Sequence, residues 1–158
     1  MPPAGRRLKL AWPAASATPA MLKIAFASDD RIAVNQHFGA ARGFAIYAVD
    51  GERAQLIEVA EFPAAAAAGN EQILPAKIAT LAGCAAVFCL AAGASAVKRL
   101  IAAGVPPIRL DDEAAIEPLL KEISRAIREG GISWVDQALR QDKDAARFER
   151  MAADGWEE

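Results

Sequence analysis

The chain contains a single histidine, His37, in the run Val34-Asn35-Gln36-His37-Phe38-Gly39, and Arg42 follows closely. A neutral imidazole is a versatile nitrogen donor for transition metals near neutral pH. One His excludes a His–His metal pair and a His-based catalytic relay with a spare. Arg42 adds a fixed positive charge and a bidentate donor. Two thiols are present, Cys84 and Cys89. On one continuous strand their odd spacing sends them to opposite faces, and the C-x₂-C spacing of zinc sites is missing. Cys84, beside Gly83, reads as a small core residue. Cys89, near the end of its apolar run, is the thiol that could reach a crevice at the strand end, although a buried free Cys is by default structural. Asp29-Asp30 place two carboxylates after the first strand, but two-metal hydrolysis needs several converging acids. No further acid stands at the end of the 84–90 strand, so turn capping is the simpler role for the pair. No Gly-rich phosphate loop, nucleophile elbow or His-Glu zinc motif occurs.

These residues must be positioned by the elements around them. Leu22–Ala27 alternates large and small residues and reads as a strand. Residues 28–42 form a connection long enough to suggest function. Gly43–Val49 and Gln55–Phe62 read as strands joined at Asp50-Gly51, a strong hairpin signal. After an alanine-rich stretch, Pro63–Gly69, residues 71–82 predict a helix with Pro75 in its first turn. Cys84–Leu90 reads as a buried strand. Ser95 is the expected N-cap of a helix through Ala103, and Gly104 suits the position past its end. Val105–Leu110 is a further short strand. Ile116, Leu119, Leu120, Ile123 and Ile127 mark the clearest helix, residues 113–129, which Gly130-Gly131 ends. A short helix starts at Ser133.

The order is strand, long loop, hairpin, then alternating helix and strand. It predicts an α/β fold with a mixed five-stranded sheet and helices on its faces. The ends of the first strand and of the 84–90 strand should lie together, so that their loops form one crevice. Three groups would meet there: the His37 loop with Arg42, the Leu90–Ser95 turn, and the N–H groups of the helix that begins near Ser95. Together they describe a site for an anionic ligand with room for one imidazole bond.

Composition sets the outer bounds. The 158 residues suit one domain, divided here into a flexible leader at 1–20, an α/β domain at 21–131 and a helical tail at 132–158. A net charge of −2 argues against a nucleic-acid partner. No apolar run is long enough to span a membrane. Arg6-Arg7 hints at a twin-arginine signal, but Pro13 and Pro19 interrupt the stretch that follows. Two cysteines in an apolar segment suit reduced thiols in a cytoplasmic protein.

Taken together, the motifs resemble a known family. They are Ser28-Asp29-Asp30-Arg31, Val34-Asn35-Gln36-His37-Phe38-Gly39 with Arg42, Gly83-Cys84-Ala85-Ala86-Val87-Phe88-Cys89, Gly93-Ala94-Ser95-Ala96-Val97, and the closing Gly155-Trp156-Glu157-Glu158. The likeness is to the dinitrogenase iron–molybdenum cofactor biosynthesis family, which includes NifX, NifY and NafY. The Cys-Ala-Ala-Val segment and the Gly-Trp-Glu-Glu tail point to its NifX branch. The resemblance implies a ribonuclease H-like fold without nuclease activity. It also implies a non-catalytic carrier for iron–sulfur precursors of the iron–molybdenum cofactor. His37 would bind the cluster, with Asn35, Gln36, Phe38, Gly39, Arg42 and Ser95 framing it and Cys89 as a second candidate ligand. The implied partners are a NifB-type cofactor synthase and a NifEN-type scaffold, with apo-dinitrogenase as a third candidate. Where the family has a more acidic connection, this chain carries the alanine-rich Pro63–Gly69. Two other readings compete: a metal-dependent hydrolase built on Asp29 and Asp30, and a metal-free interaction module using residues 133–158.

Overall fold

The computed structural model describes residues 6–9, 21–62 and 73–141. Their strands are β1 (Arg6–Lys9), β2 (Met21–Ala27), β3 (Ala33–Val34), β4 (Gly43–Asp50), β5 (Ala54–Glu61), β6 (Ala86–Cys89), β7 (Pro107–Arg109) and β8 (Ala114–Ala115). The helices are α1 (Leu74–Thr80), α2 (Ala94–Ala102) and α3 (Ile116–Glu129), followed by a helical stretch at 133–141, here α4.

The main sheet runs in the order β1-β5-β4-β2-β6-β7. β4 and β5 form the expected antiparallel hairpin, β4 pairs antiparallel with β2, and β6 and β7 add in parallel on the other side of β2. The five expected strands are therefore present as a mixed sheet, and β1 makes a sixth. Arg6–Lys9 falls in the stretch expected to be a flexible leader, yet it pairs antiparallel with the outer edge of β5. The register sets Arg6 opposite Glu61 and Lys9 opposite Glu58. The strand covers an edge that β5 would leave open.

The pleat of the sheet sorts its side chains into two layers. Ala25 and Ala27 of β2, Phe44 and Ile46 of β4, and Val87 and Cys89 of β6 face α1 and α2. Leu22, Ile24 and Phe26 of β2, Val49 of β4 and Phe88 of β6 face α3 and α4. The first layer meets the lean, alanine-rich side of β2, and its volume is made up by Phe38, Phe44 and Phe62 in successive ring contacts at 5.4 and 6.0 Å. In the second layer Phe26 stacks on Phe88 at 5.2 Å, and Trp134 of α4 meets Phe88 edge-on at 5.9 Å. Residues 133–141 are thus part of the packed domain, although they belong to the expected tail.

α3 is tied to the hairpin as well as packed on it. The buried Ser124 hydroxyl donates to the Asp50 carbonyl at 2.6 Å, and Arg128 donates to the Gly51 carbonyl at 2.6 Å. The Asp50 carboxylate accepts from the backbone N–H groups of Glu52 and Arg53, both at 2.8 Å, which closes the turn. The expected start of α3 at residue 113 shifts to Ile116, because Ala114 and Ala115 pair with β3 instead.

Candidate functional site

The 28–42 loop is folded by its own polar side chains. Asp30 Oδ1 accepts from the Ser28 hydroxyl and from the N–H groups of Ile32 and Ala33 at 2.8–3.0 Å. Those backbone bonds, Ile32 first, hold the exposed Asp30 carboxyl below its usual pKa. Asp29 and Asn35 are joined twice: the Asn35 amide donates to the Asp29 carboxylate at 2.8 Å and accepts from the Asp29 N–H at 3.2 Å. Both carboxylates thus build the loop. Directly after them Arg31 adopts a left-handed φ of 63°, an unusual conformation for a residue with a side chain. Gln36 closes the far end, its Oε1 accepting from the Arg42 N–H at 3.0 Å.

Two backbone bonds then staple the His37 segment to the end of β6. Leu90 donates to the Gln36 carbonyl at 3.0 Å, and Phe38 donates to the Ala91 carbonyl at 2.7 Å. His37 lies between these two bonds and is exposed. The expected meeting of the His37 loop with the Leu90–Ser95 turn is therefore observed, and its cause is a parallel pair of strands, β2 and β6, whose ends lie side by side. α2 follows at once. Its N-cap is Gly93, in extended conformation, and it makes no side-chain cap. Ser95 was the expected cap; it sits one place inside the first turn, exposed, because the helix begins at Ala94.

The remaining expected site residues divide. Phe38 is 0% exposed and packs on Phe44, so it anchors the loop in the core and presents no surface to a ligand. Asn35 and Gln36 spend their amides on the loop itself. Arg42 lines a groove of about 280 Å³ with Asp29, Arg31 and Glu61, and neither His37 nor Ser95 lines it.

Cys89 does not reach the crevice. It is 0% exposed, in the layer beneath α2, and burial pushes its thiol pKa up to about 11. Its side chain alternates inward with Val87, and the strand ends before it can turn outward. Cys84 lies in the same layer and not on the opposite face, because it precedes β6 in a turn where strand alternation does not apply. Among the described residues no three His, Cys, Asp or Glu side chains gather into a metal-binding group.

One residue beneath the loop carries no signal in the motifs. Lys77 of α1 is 1% exposed, and its ammonium donates to the Gly39 carbonyl at 2.7 Å. The available clue was positional. Leu74, Lys77, Ile78 and Leu81 follow i, i+3, i+4, i+7, so Lys77 occupies an apolar slot. On the opposite face of the sheet a cavity of about 770 Å³ opens between the start of α3 and the hairpin, lined by Tyr47, Ile116, Lys121 and their neighbours. It includes none of the expected site residues.

The described residues thus form a mixed α/β domain that displays a single imidazole from a stapled loop at its strand ends. Residues 21–126 match the family described as Dinitrogenase iron-molybdenum cofactor, and the chain belongs to that family. It is 48% identical over 140 residues to Protein NifX of Azotobacter vinelandii, covering 87% of this chain and 89% of that protein. Protein NifX of Klebsiella pneumoniae is 33% identical, with 82% and 80% covered. Protein NifY of the same organism is 28% identical, and the match spans 79% of this chain but 53% of that protein. Among solved structures, the crystal structure of PH0822 matches with a TM-score of 0.52 and 25% identity over 65% of this chain and 88% of that one. The alanine-rich Pro63–Gly69 and the closing Gly155-Trp156-Glu157-Glu158 lie outside the described residues.

Proposed function

We propose that this protein takes part in nitrogenase cofactor biosynthesis as a non-catalytic carrier, holding an iron–sulfur precursor of the iron–molybdenum cofactor at His37. The observation that carries the reading is the placement of the chain's one imidazole: exposed, yet fixed on both sides by the Leu90 and Phe38 backbone bonds. Family membership supplies the cargo. A precursor cluster is bulky and anionic. One protein ligand, the N–H groups at the start of α2 and an open surface suit a group that must later be released. With Cys89 enclosed in the core, the ligand set reduces to His37.

A NifB-type synthase is the proposed donor and a NifEN-type scaffold the proposed acceptor, with apo-dinitrogenase as a further acceptor. The scaffold is assigned to the ribonuclease H-like class; the order β5-β4-β2-β6-β7, with its antiparallel hairpin and parallel β6 and β7, supports this. The two free cysteines fit a cytoplasmic setting. No helix among the described residues is long and apolar enough to cross a membrane.

Anaerobic titration with the precursor cluster tests the reading. The parent protein should bind, and His37→Ala should weaken binding by about tenfold or more, the scale of one lost metal ligand or its support. Equal binding by His37→Ala removes the histidine from the site, and no binding by either ends the carrier reading. The hydrolase alternative draws no support from Asp29 and Asp30, whose Oδ1 atoms each help to fold the loop.

A further inference from the structure

Lys77 stands where an apolar residue is due. Its neighbours on the inner stripe of α1, Leu74 and Ile78, join Leu81, Phe38, Ala41 and Phe62 in one buried layer. An ammonium placed there loses hydration that a single neutral acceptor restores only in part, and burial lowers its pKa to about 8. Its contacts are the Gly39 carbonyl at 2.7 Å and the face of Phe62, whose centroid lies 5.7 Å away. Among the described residues no carboxylate forms an ion pair with it.

Packing alone does not call for this group. A methionine would fill the layer, and a neutral amide could also donate to a carbonyl. A buried charge with no counter-ion among the described residues, tied two residues beyond His37, has a use if something negative is to rest on the loop. We infer that Lys77 is the positioning residue of the His37 loop and the buried counter-charge for the anionic ligand held there. Its hydrogen bond fixes Gly39 from the protein side, and its charge faces the ligand through the loop while His37 supplies the donor atom from the solvent side. A charge in this interior is screened far less than that of an exposed arginine. Arg42 lines a separate groove that His37 does not line. The inference rests on the carrier reading and extends the site from one residue to two.

The test uses the full chain with Lys77→Met, Lys77→Gln and Lys77→Arg, each first checked for cooperative unfolding. Amide exchange of Phe38, Ala41 and Leu90, whose N–H groups are all bonded within or onto the loop, reports positioning. Affinity for isolated iron–molybdenum cofactor, used as an anionic cluster probe, reports the charge. Lys77→Met should speed exchange at those amides and weaken the probe's binding, each by about tenfold, the scale of one hydrogen bond to a charged group. Lys77→Gln should keep slow exchange but still bind several-fold more weakly, and Lys77→Arg should restore both. Parental exchange rates in Lys77→Met overturn the positioning role. Parental affinity in Lys77→Gln overturns the charge role. Failure of the parent to bind the probe rejects the carrier reading and the charge role with it, while the exchange rates still decide positioning. Should Lys77→Met not fold, Lys77→Gln against Lys77→Arg decides both points.

Discussion

At the scale of single residues the site separates display from support. His37 is exposed, and its segment is held through the backbone bonds of Gln36 and Phe38, so His37→Ala should change unfolding free energy by no more than about 0.5 kcal/mol while removing the proposed ligand. Phe38, one place along, is wholly buried against Phe44. Phe38→Ala should cost about 3–5 kcal/mol, as large-to-small changes at aromatic core positions do. Denaturant melts of the two variants side by side check the contrast. Cys89, buried and with its thiol pKa pushed to about 11, should resist alkylation near pH 8 until the protein unfolds, which mass spectrometry after a timed reagent pulse will show. His37 could be singled out from the sequence because a unique donor in an irregular run stands out. Lys77 showed only through its slot in the apolar stripe of α1, a faint signal because a lysine in a helix is ordinarily on the solvent side. Cys89 misled for a related reason: closeness to a strand end does not say which way the last side chain points.

Among the elements, the signals carried by local chemistry were the dependable ones. Asp50-Gly51 marks a hairpin whose turn the Asp50 carboxylate closes, and the apolar spacing of α3 places its buried face correctly. Elements decided by distant partners were harder to read. β1 has no pattern of its own and gains a structure from the open edge of β5. The start of α3 gives way to the β3–β8 pairing. Ser95 misses the cap position by two residues because Gly93 already supplies the extended conformation that a cap needs. The bond from Ser124 to Asp50 joins helix to hairpin inside the core, so Ser124→Ala leaves that carbonyl without its donor. A loss of about 1–3 kcal/mol is expected by urea titration, with amide exchange rising in the 50–53 turn before it rises in β2.

For the whole molecule, the buried ionisable groups set a pH dependence. The folded state lowers the Lys77 pKa from 10.5 to about 8, so between those values the unfolded chain binds more protons and stability rises with pH. Burial raises the Cys89 pKa from 9.0 to about 11; there the folded state holds the extra proton and stability falls as pH climbs. Between pH 8 and 9 Lys77 acts with little opposition. The parent should therefore gain stability across that interval, by at most about 1.4 kcal/mol per pH unit, and Lys77→Met should lack this gain in parallel urea melts.

The staple between the His37 segment and the end of β6 also has a consequence in time. Gln36 and Phe38 are synthesised well before Leu90 and Ala91, and the two stretches meet only through the parallel pairing of β2 with β6. Parallel pairing joins segments distant in sequence and is slow to form. A chain still emerging from the ribosome has its histidine but no fixed place to hold it. On the proposed carrier reading, competence to accept cargo coincides with completion of the central sheet, and a half-made or misfolded copy offers a cluster no docking point to occupy.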